Sequence, residues 1–273
     1  LSTCDEAFEL YDEIVNTIGQ STFTRPELSY LKESLILVDK CLGIASTKEE
    51  LIEKMYDDDF YYGYLGQNAL SSSSIKTILK SPKQYLKNLT EGQKESQPLR
   101  DGKLFHWKIL EPEKFNSLNV VPVASKNTKT YKEAVALHGE VYTQSEIDNC
   151  NLLVEALNKN SYCRDLINQG EYEVPAIAVF DGIPIRGKAD GIVGDTIIDL
   201  KTTNDILNFR WSAKKYSYDL QAYLYVSMFE NINNFRFICI DKNTLELGVF
   251  DCSPEFLDSG RVKLEKGLET DKK

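Results

Sequence analysis

The chain has 273 residues, 42% of them hydrophobic, and a formal net charge of −10. That supplies a core for one large domain or for one domain with an appendage, and no run approaches the roughly 20 apolar residues a membrane helix needs. The acidic balance opposes non-specific adhesion to nucleic acid, so a nucleic-acid reading must rest on local basic clusters and on metal in an acidic site.

Residues 1–56 read as a helical N-terminal extension. Thr3-Cys4-Asp5-Glu6 resembles a helix start, and Phe8, Tyr11, Ile14, Val15 and Ile18 follow at helical spacing. After Pro26, the leucines from Leu28 to Leu37 indicate a second helix. Asp57 to Tyr64, acidic and aromatic, reads as a linker into a domain covering residues 57–273.

The run Leu70-Ser71-Ser72-Ser73-Ser74-Ile75 predicts a serine-capped helix with Ile75, Ile78 and Leu79 inward, and Pro82 opens the next helix. Lys76, Lys80, Lys83 and Lys87 are spaced as one basic face. Such a start offers N–H groups and hydroxyls to a phosphate, or is an ordinary cap with solvated lysines. A helix from Asp101 ends at Pro112 and carries His106, one of two histidines. A lone histidine is more often packed than ligating. Residues 113–170 read as polar helix and loop, with Lys126, Lys129 and Lys132 on a mobile loop.

Val174 to Phe180 is strand-like, and Asp181-Gly182 and Gly194-Asp195 mark two tight hairpin turns. If Val193 pairs with Thr196, Asp190 lies opposite Asp199; if Phe180 pairs with Ile183, Glu173 lies opposite Asp190. Three carboxylates then form a row, with Lys201 two residues beyond the last. A bulge at Pro184 would shift the row by one. Like charges this close repel unless a cation sits among them, and oxygen ligands of this kind suit Mg²⁺ or Mn²⁺. For Asp199 and Lys201 taken alone, a buried ion pair holding the hairpin is as good a reading.

Further on, Phe209 to Tyr216 carries Arg210, Lys214 and Lys215, and a helix from Tyr218 to Glu230 places Gln221 and Tyr225 one turn apart. Strands over Phe235 to Asp241 and Leu245 to Phe250 and a helix from Pro254 to Leu268 complete the chain. The pattern is α/β, a mixed sheet of about five strands flanked by helices. Cys4, Cys41, Cys150, Cys163, Cys239 and Cys252 are scattered without a CxxC pair, which argues against a zinc ribbon or iron–sulfur cluster. No signal peptide is recognisable, and free thiols fit a reducing cytoplasm.

Four features together resemble the PD-(D/E)xK nuclease superfamily, and more narrowly phage-type exodeoxyribonucleases of the RecE/exonuclease VIII kind, related to lambda exonuclease and the RecB nuclease domain. They are Leu70 to Ile75 with Lys80-Ser81-Pro82-x-x-Tyr85; Gly102-x-x-x-His106 ahead of Glu111-Pro112; Lys188-Ala189-Asp190 followed by Ile198-Asp199-Leu200-Lys201-Thr202-Thr203; and Gln221-x-x-x-Tyr225. Ala189 stands where the usual proline would be. The resemblance covers residues 57–270 and implies a restriction-endonuclease-like core. It also implies one or two Mg²⁺ ions, replaceable by Mn²⁺, held by His106, Asp190, Asp199 and the Leu200 carbonyl. Glu173 would be an auxiliary acid, Lys201 would orient or deprotonate the attacking water, and Gln221 and Tyr225 would position the metal shell, lysine or phosphate. Ser73, with Ser71 as its neighbour, would meet a terminal 5′-phosphate, and Lys76, Lys80, Arg210 and Lys214 the DNA backbone. The implied activity is 5′-to-3′ digestion of double-stranded DNA ends, leaving 3′ single strands for recombination. The implied assembly is a trimeric or tetrameric ring beside a single-strand annealing protein. A PD-(D/E)xK endonuclease and a non-catalytic module that binds DNA ends or a recombination partner are the alternatives.

Overall fold

The computed structural model of the protein describes residues 48–271 apart from Lys94. The two helices expected before residue 48, and Cys4 and Cys41, lie outside the described residues. By packing, the chain forms two compact units. Among the described residues the first holds 48–90, 175–188 and 261–271, and the second holds 91–174 and 189–260.

The first unit begins with α1 (Lys48–Lys54), a π-helix (Asp59–Tyr64) and a single turn, α2 (Leu65–Asn68). The expected linker is therefore helical. Its anchor is Tyr61, buried with Leu51, Met55, Leu65, Ala69, Ile177 and Val179. The Arg186 guanidinium lies 4.5 Å from the Tyr61 ring centre, a cation–π partner far along the chain that no local pattern announces. The boundary expected at residue 56 falls inside this cluster. Helix α3 (Ser72–Lys80) is capped by Ser71, whose hydroxyl accepts from the Ser74 N–H, and buries Ile75 and Ile78. Helix α4 (Pro82–Glu91) starts on its proline, as expected. Gly267 lies so close to α3 that a Cβ there would stand 2.5 Å from Ile75, so only glycine allows the approach.

The second unit opens with α5 (Gln97–Leu110), α6 (Pro112–Asn116), β1 (Val120–Val121), α7 (Lys129–His138), β2 (Tyr142–Thr143), α8 (Gln144–Lys159) and α9 (Ser161–Asn168). Strands β1 and β2 pair in parallel and are too short to leave a periodic signal. Part of the expected basic loop is helical. Lys126 Nζ bonds Gln97 Oε1 at 2.7 Å and Glu146 Oε1 at 2.8 Å, while Lys129 and Lys132 sit on α7 behind the Thr128 cap.

Five strands form one mixed sheet in the order β3 (Glu171–Phe180), β4 (Ile183–Val193), β5 (Thr196–Thr203), β6 (Asn234–Asp241), β7 (Leu247–Asp251). Strand β5 is antiparallel to β4 and parallel to β6, and β6 is antiparallel to β7. Helices α10 (Phe209–Lys215) and α11 (Tyr218–Met228) connect β5 to β6, and α12 (Pro254–Asp271) ends the chain. Within the second unit, α5, α8 and α9 pack Leu104, Phe105, Leu153, Leu157 and Ile167 onto Ile198, Leu200, Ile238 and Ile240. The other face of β6 carries Phe235 and Phe237, and the Phe237 ring contacts Phe209, Tyr218 and Phe235. Strand β5 is thus covered on both faces, which is why its run is apolar apart from the residues of the site. Cys150, Cys163, Cys239 and Cys252 are free thiols. No described helix is long and apolar enough to cross a membrane.

Candidate active site

The β4–β5 hairpin turns at Gly194-Asp195 with Val193↔Thr196, Ile192↔Ile197 and Gly191↔Ile198 as partners, the register read from the sequence. One residue further, the Asp190 carboxylate accepts the Leu200 N–H at 2.8 Å. Asp199 is 1% exposed, and its Oδ2 meets the Lys201 ammonium two residues along the same strand face. Helix α5 brings in His106: Nε2 donates to the Leu200 carbonyl at 2.7 Å, and Nδ1 lies 3.3 Å from Asp190 Oδ2. Helix α11 brings in Gln221, whose Nε2 donates to Asp199 Oδ1 at 2.8 Å. Asp190, Asp199, Lys201, His106, the Leu200 carbonyl and Gln221 therefore stand together.

Basic and acidic groups face each other in this cluster. Burial opposes the charge on His106, but the Asp190 carboxylate outweighs it and pushes the imidazole up to about 9. Burial likewise works against Asp190, yet His106 and Lys201 hold its carboxyl below the ordinary range. Burial raises Asp199, with Asp190 adding to the rise and Lys201 opposing it. Lys201 is raised because Asp199 and Asp190 more than offset its desolvation, so it is held as an ammonium. Two basic groups thus face two carboxylates, one held low and the other raised.

Sequence reasoning missed two residues here. The Tyr218 ring lies under Lys201, with Nζ 5.1 Å from its centre. Its position three residues before Gln221 on one helix was the available signal. Cys239 pairs with Lys201 across β5 and β6, its thiol pushed up by burial.

The remaining expected residues are placed as follows. Glu173 is half-buried and its backbone is left-handed, φ 50°, so the strand alternation behind a three-carboxylate row is interrupted there. Tyr225 is buried, its ring edge-on to Phe229 and Phe235. In the first unit, Ser71 spends its hydroxyl on the α3 cap, Ser73 and Lys80 are exposed, and Lys76 is half-buried. In the second unit, Arg210 and Lys214 are exposed on α10.

Among the described residues, no three His, Cys, Asp or Glu side chains already stand in an arrangement that holds a metal ion. The donor chemistry nevertheless fits a hard divalent cation: two carboxylates, a backbone carbonyl and an imidazole converge here. Asp199 Oδ2 is buried and receives no hydrogen bond, only the ammonium contact, which leaves it available as a donor atom.

Residues 71–273 match the family model described as "PDDEXK-like domain of unknown function (DUF3799)". The chain belongs to this PDDEXK-like family. Its five-stranded mixed sheet with flanking helices is the restriction-endonuclease-like α/β fold. Among solved structures, it is similar to a protein from Eubacterium rectale described as a "putative exonuclease", at 14% identity and TM-score 0.61, covering 78% of this chain and 85% of that one. That likeness shows the fold. A second structure, SSO0001, is 12% identical over 72% of this chain and 83% of that chain, and its TM-score of 0.31 carries no argument. No curated protein matches the chain in sequence. Asp190, Asp199 and Lys201 stand on two adjacent strands of one hairpin.

Proposed function

We propose that the chain is a metal-dependent phosphodiesterase acting on DNA, in its specific form a Mg²⁺-dependent 5′-to-3′ exonuclease on double-stranded ends. One observation carries this reading: Asp190 and Asp199 share a buried cluster with the Lys201 ammonium and His106. The description of the Eubacterium rectale protein supports it in kind.

Asp190, Asp199, the Leu200 carbonyl and His106 would hold the cation, with Mn²⁺ as a substitute and one or two ions per site. When bound, a divalent ion of this class makes water a stronger nucleophile and stabilises charge on a phosphoryl oxygen. The chain's own groups do the rest. His106 must give up a ring proton to ligate, because both of its nitrogens are engaged as donors. Gln221 fixes Asp199 in one orientation through Oδ1 and leaves Oδ2 to face Lys201. Lys201, held as an ammonium, is a stabiliser of negative charge and an orienter of water; as long as it stays protonated it is no base. Glu173 serves as the auxiliary acid and Tyr225 as support for the helix that carries Gln221. Ser73 and Ser71, with Lys76 and Lys80, receive phosphate from the first unit's α3, and Arg210 and Lys214 do so from α10.

The product would be a 3′ single strand for recombination, made in the cytoplasm by a trimeric or tetrameric ring working beside an annealing protein. A ring would also concentrate positive charge that a net −10 chain otherwise dilutes. The test is linear duplex labelled at either its 5′ or its 3′ end, with Mg²⁺ or chelator. Early release of the 5′ label by the wild type, none with chelator and none by Asp199→Asn, is the expected result. Degradation that ignores Asp199→Asn overturns the site. Cutting of covalently closed circular duplex overturns the exonuclease form.

A further inference from the structure

The segment that joins β5 to α11 presents an unusual surface. Phe209 and Ala213 turn inward, while Leu207, Trp211 and Tyr216 are 88%, 56% and 53% exposed. Cations interleave with these aromatics. Trp211 is flanked by Arg210, whose guanidinium is 4.9 Å from the ring, and by Lys214, whose Nζ is 5.8 Å from it. Lys215 Nζ lies 5.4 Å from the Tyr216 ring. No ion pair joins Arg210, Lys214 or Lys215 to a carboxylate among the described residues. In a chain of net charge −10, three unneutralised cations within six positions form a local positive field.

The surface also leads somewhere. The Tyr216 ring is 6.0 Å from Tyr218, and Tyr218 is the ring beneath Lys201. Aromatic rings thus lead from exposed Tyr216 through Tyr218 to the Lys201 ammonium of the candidate site, with Trp211 and its two cations on the same short segment.

We propose that Leu207 to Tyr216 is a track for a single DNA strand, with unpaired bases stacking on Trp211 and Tyr216 and phosphates lying on Arg210, Lys214 and Lys215. This rests on the nuclease reading, because it takes the Asp199–Lys201 cluster as the end of the track. Charge selects the occupant. Exposed indole and phenol rings between unpaired cations suit bases between phosphates, since every base offers a flat face for stacking and every phosphate a negative charge. A protein partner would need acidic groups at the same spacing. The track implies that a duplex end is at least partly unpaired as it enters or leaves the site.

The test measures anisotropy of a fluorescein-labelled oligothymidine with wild-type protein in chelator, so that no cleavage intervenes. Trp211→Ala is expected to weaken binding about tenfold or more, and Trp211→Phe to restore most of it. Duplex of equal length is expected to lose less. Replacing Arg210, Lys214 and Lys215 together by alanine is expected to lower the slope of log affinity against log salt by roughly 2, at about 0.7 per phosphate contact. Trp211 is on the surface, and an unchanged circular dichroism melt shows that the fold is intact. Oligothymidine binding by Trp211→Ala equal to wild type overturns the proposal. So does a wild type that self-associates and becomes monomeric on Trp211→Ala with DNA binding unchanged, which would assign the patch to a second copy. The two readings fail separately: cleavage by Asp199→Asn would remove the nuclease site, whereas the chelator experiment reads the track alone.

Discussion

His106 donates Nε2–H to the backbone carbonyl of Leu200 at 2.7 Å, and this bond ties helix α5 to the strand that carries Asp199 and Lys201. Its other nitrogen is turned to Asp190, so one imidazole bridges two of the four groups that would ligate a cation. His106→Ala removes both links and leaves a buried carbonyl without its donor. The expected cost is about 1–3 kcal/mol in urea denaturation. Mg²⁺-dependent cleavage is expected to fall as well, with partial recovery at raised metal concentration. A variant as stable and as active as wild type would show that the bridge is incidental.

Asp199 and Lys201 make a sharper pair of predictions. Lys201→Met leaves a carboxylate that is 1% exposed without its cation, and the loss of a buried pair's partner costs roughly 3–5 kcal/mol. Lys201→Met combined with Asp199→Asn removes both charges, and its stability is expected to return most of the way to wild type. Cleavage is expected to stay absent in the single and the double variant. Recovery of stability without activity separates the chemical role of the pair from its structural one. Recovery of both would end the catalytic reading.

Gln221 tests orientation. Its side-chain amide holds Asp199 Oδ1 at 2.8 Å, and a ligand whose supporting bond is lost typically binds metal ten- to a hundredfold more weakly. Gln221→Leu is expected to raise the Mg²⁺ concentration needed for half-maximal cleavage by about tenfold or more, with a smaller loss at saturating metal. Gln221→Glu adds a third carboxylate beside Asp199 and is expected to destabilise the cation-free protein. Metal titration of cleavage rates, with thermal melts of each variant, checks both.

How far the sequence reached follows from the range of the forces involved. Period two and a two-residue turn are local, so the β4–β5 hairpin was legible in its register from Val193↔Thr196 to Gly191↔Ile198. His106 lies about ninety residues away and was reachable only through the family resemblance; spacing alone assigns it no role. Tyr218 escaped because its place under Lys201 depends on how α11 packs on the sheet. The segment before Leu65 looked like a linker because its cover, Arg186, comes from β4. The left-handed backbone at Glu173 has no signature in a non-glycine residue, so a three-carboxylate row could not be told in advance from an interrupted one. The Lys126 contacts were illegible for the same reason as Tyr218, since their acceptors sit on α5 and α8.

Away from the site, Glu146 sets an acid limit on stability. It closes the capping box of α8 with Thr143, and its Oε1 accepts from Arg100 Nε at 3.0 Å and lies 2.8 Å from Lys126 Nζ. Burial disfavours its charge, but these donors outweigh that and hold the carboxyl down to about 2, against 4.5 ordinarily. Because the folded value lies below the unfolded one, the stabilisation is complete above pH 4.5 and is lost as pH falls from there towards 2. Glu146→Gln is expected to lose about 1–3 kcal/mol at neutral pH, because Arg100 and Lys126 lose the carboxylate they share while Arg100 keeps Glu95. Its urea midpoint should then change less than that of the wild type as pH is lowered through this window. Parallel pH profiles for the two proteins would show that Glu146 contributes nothing to the acid transition.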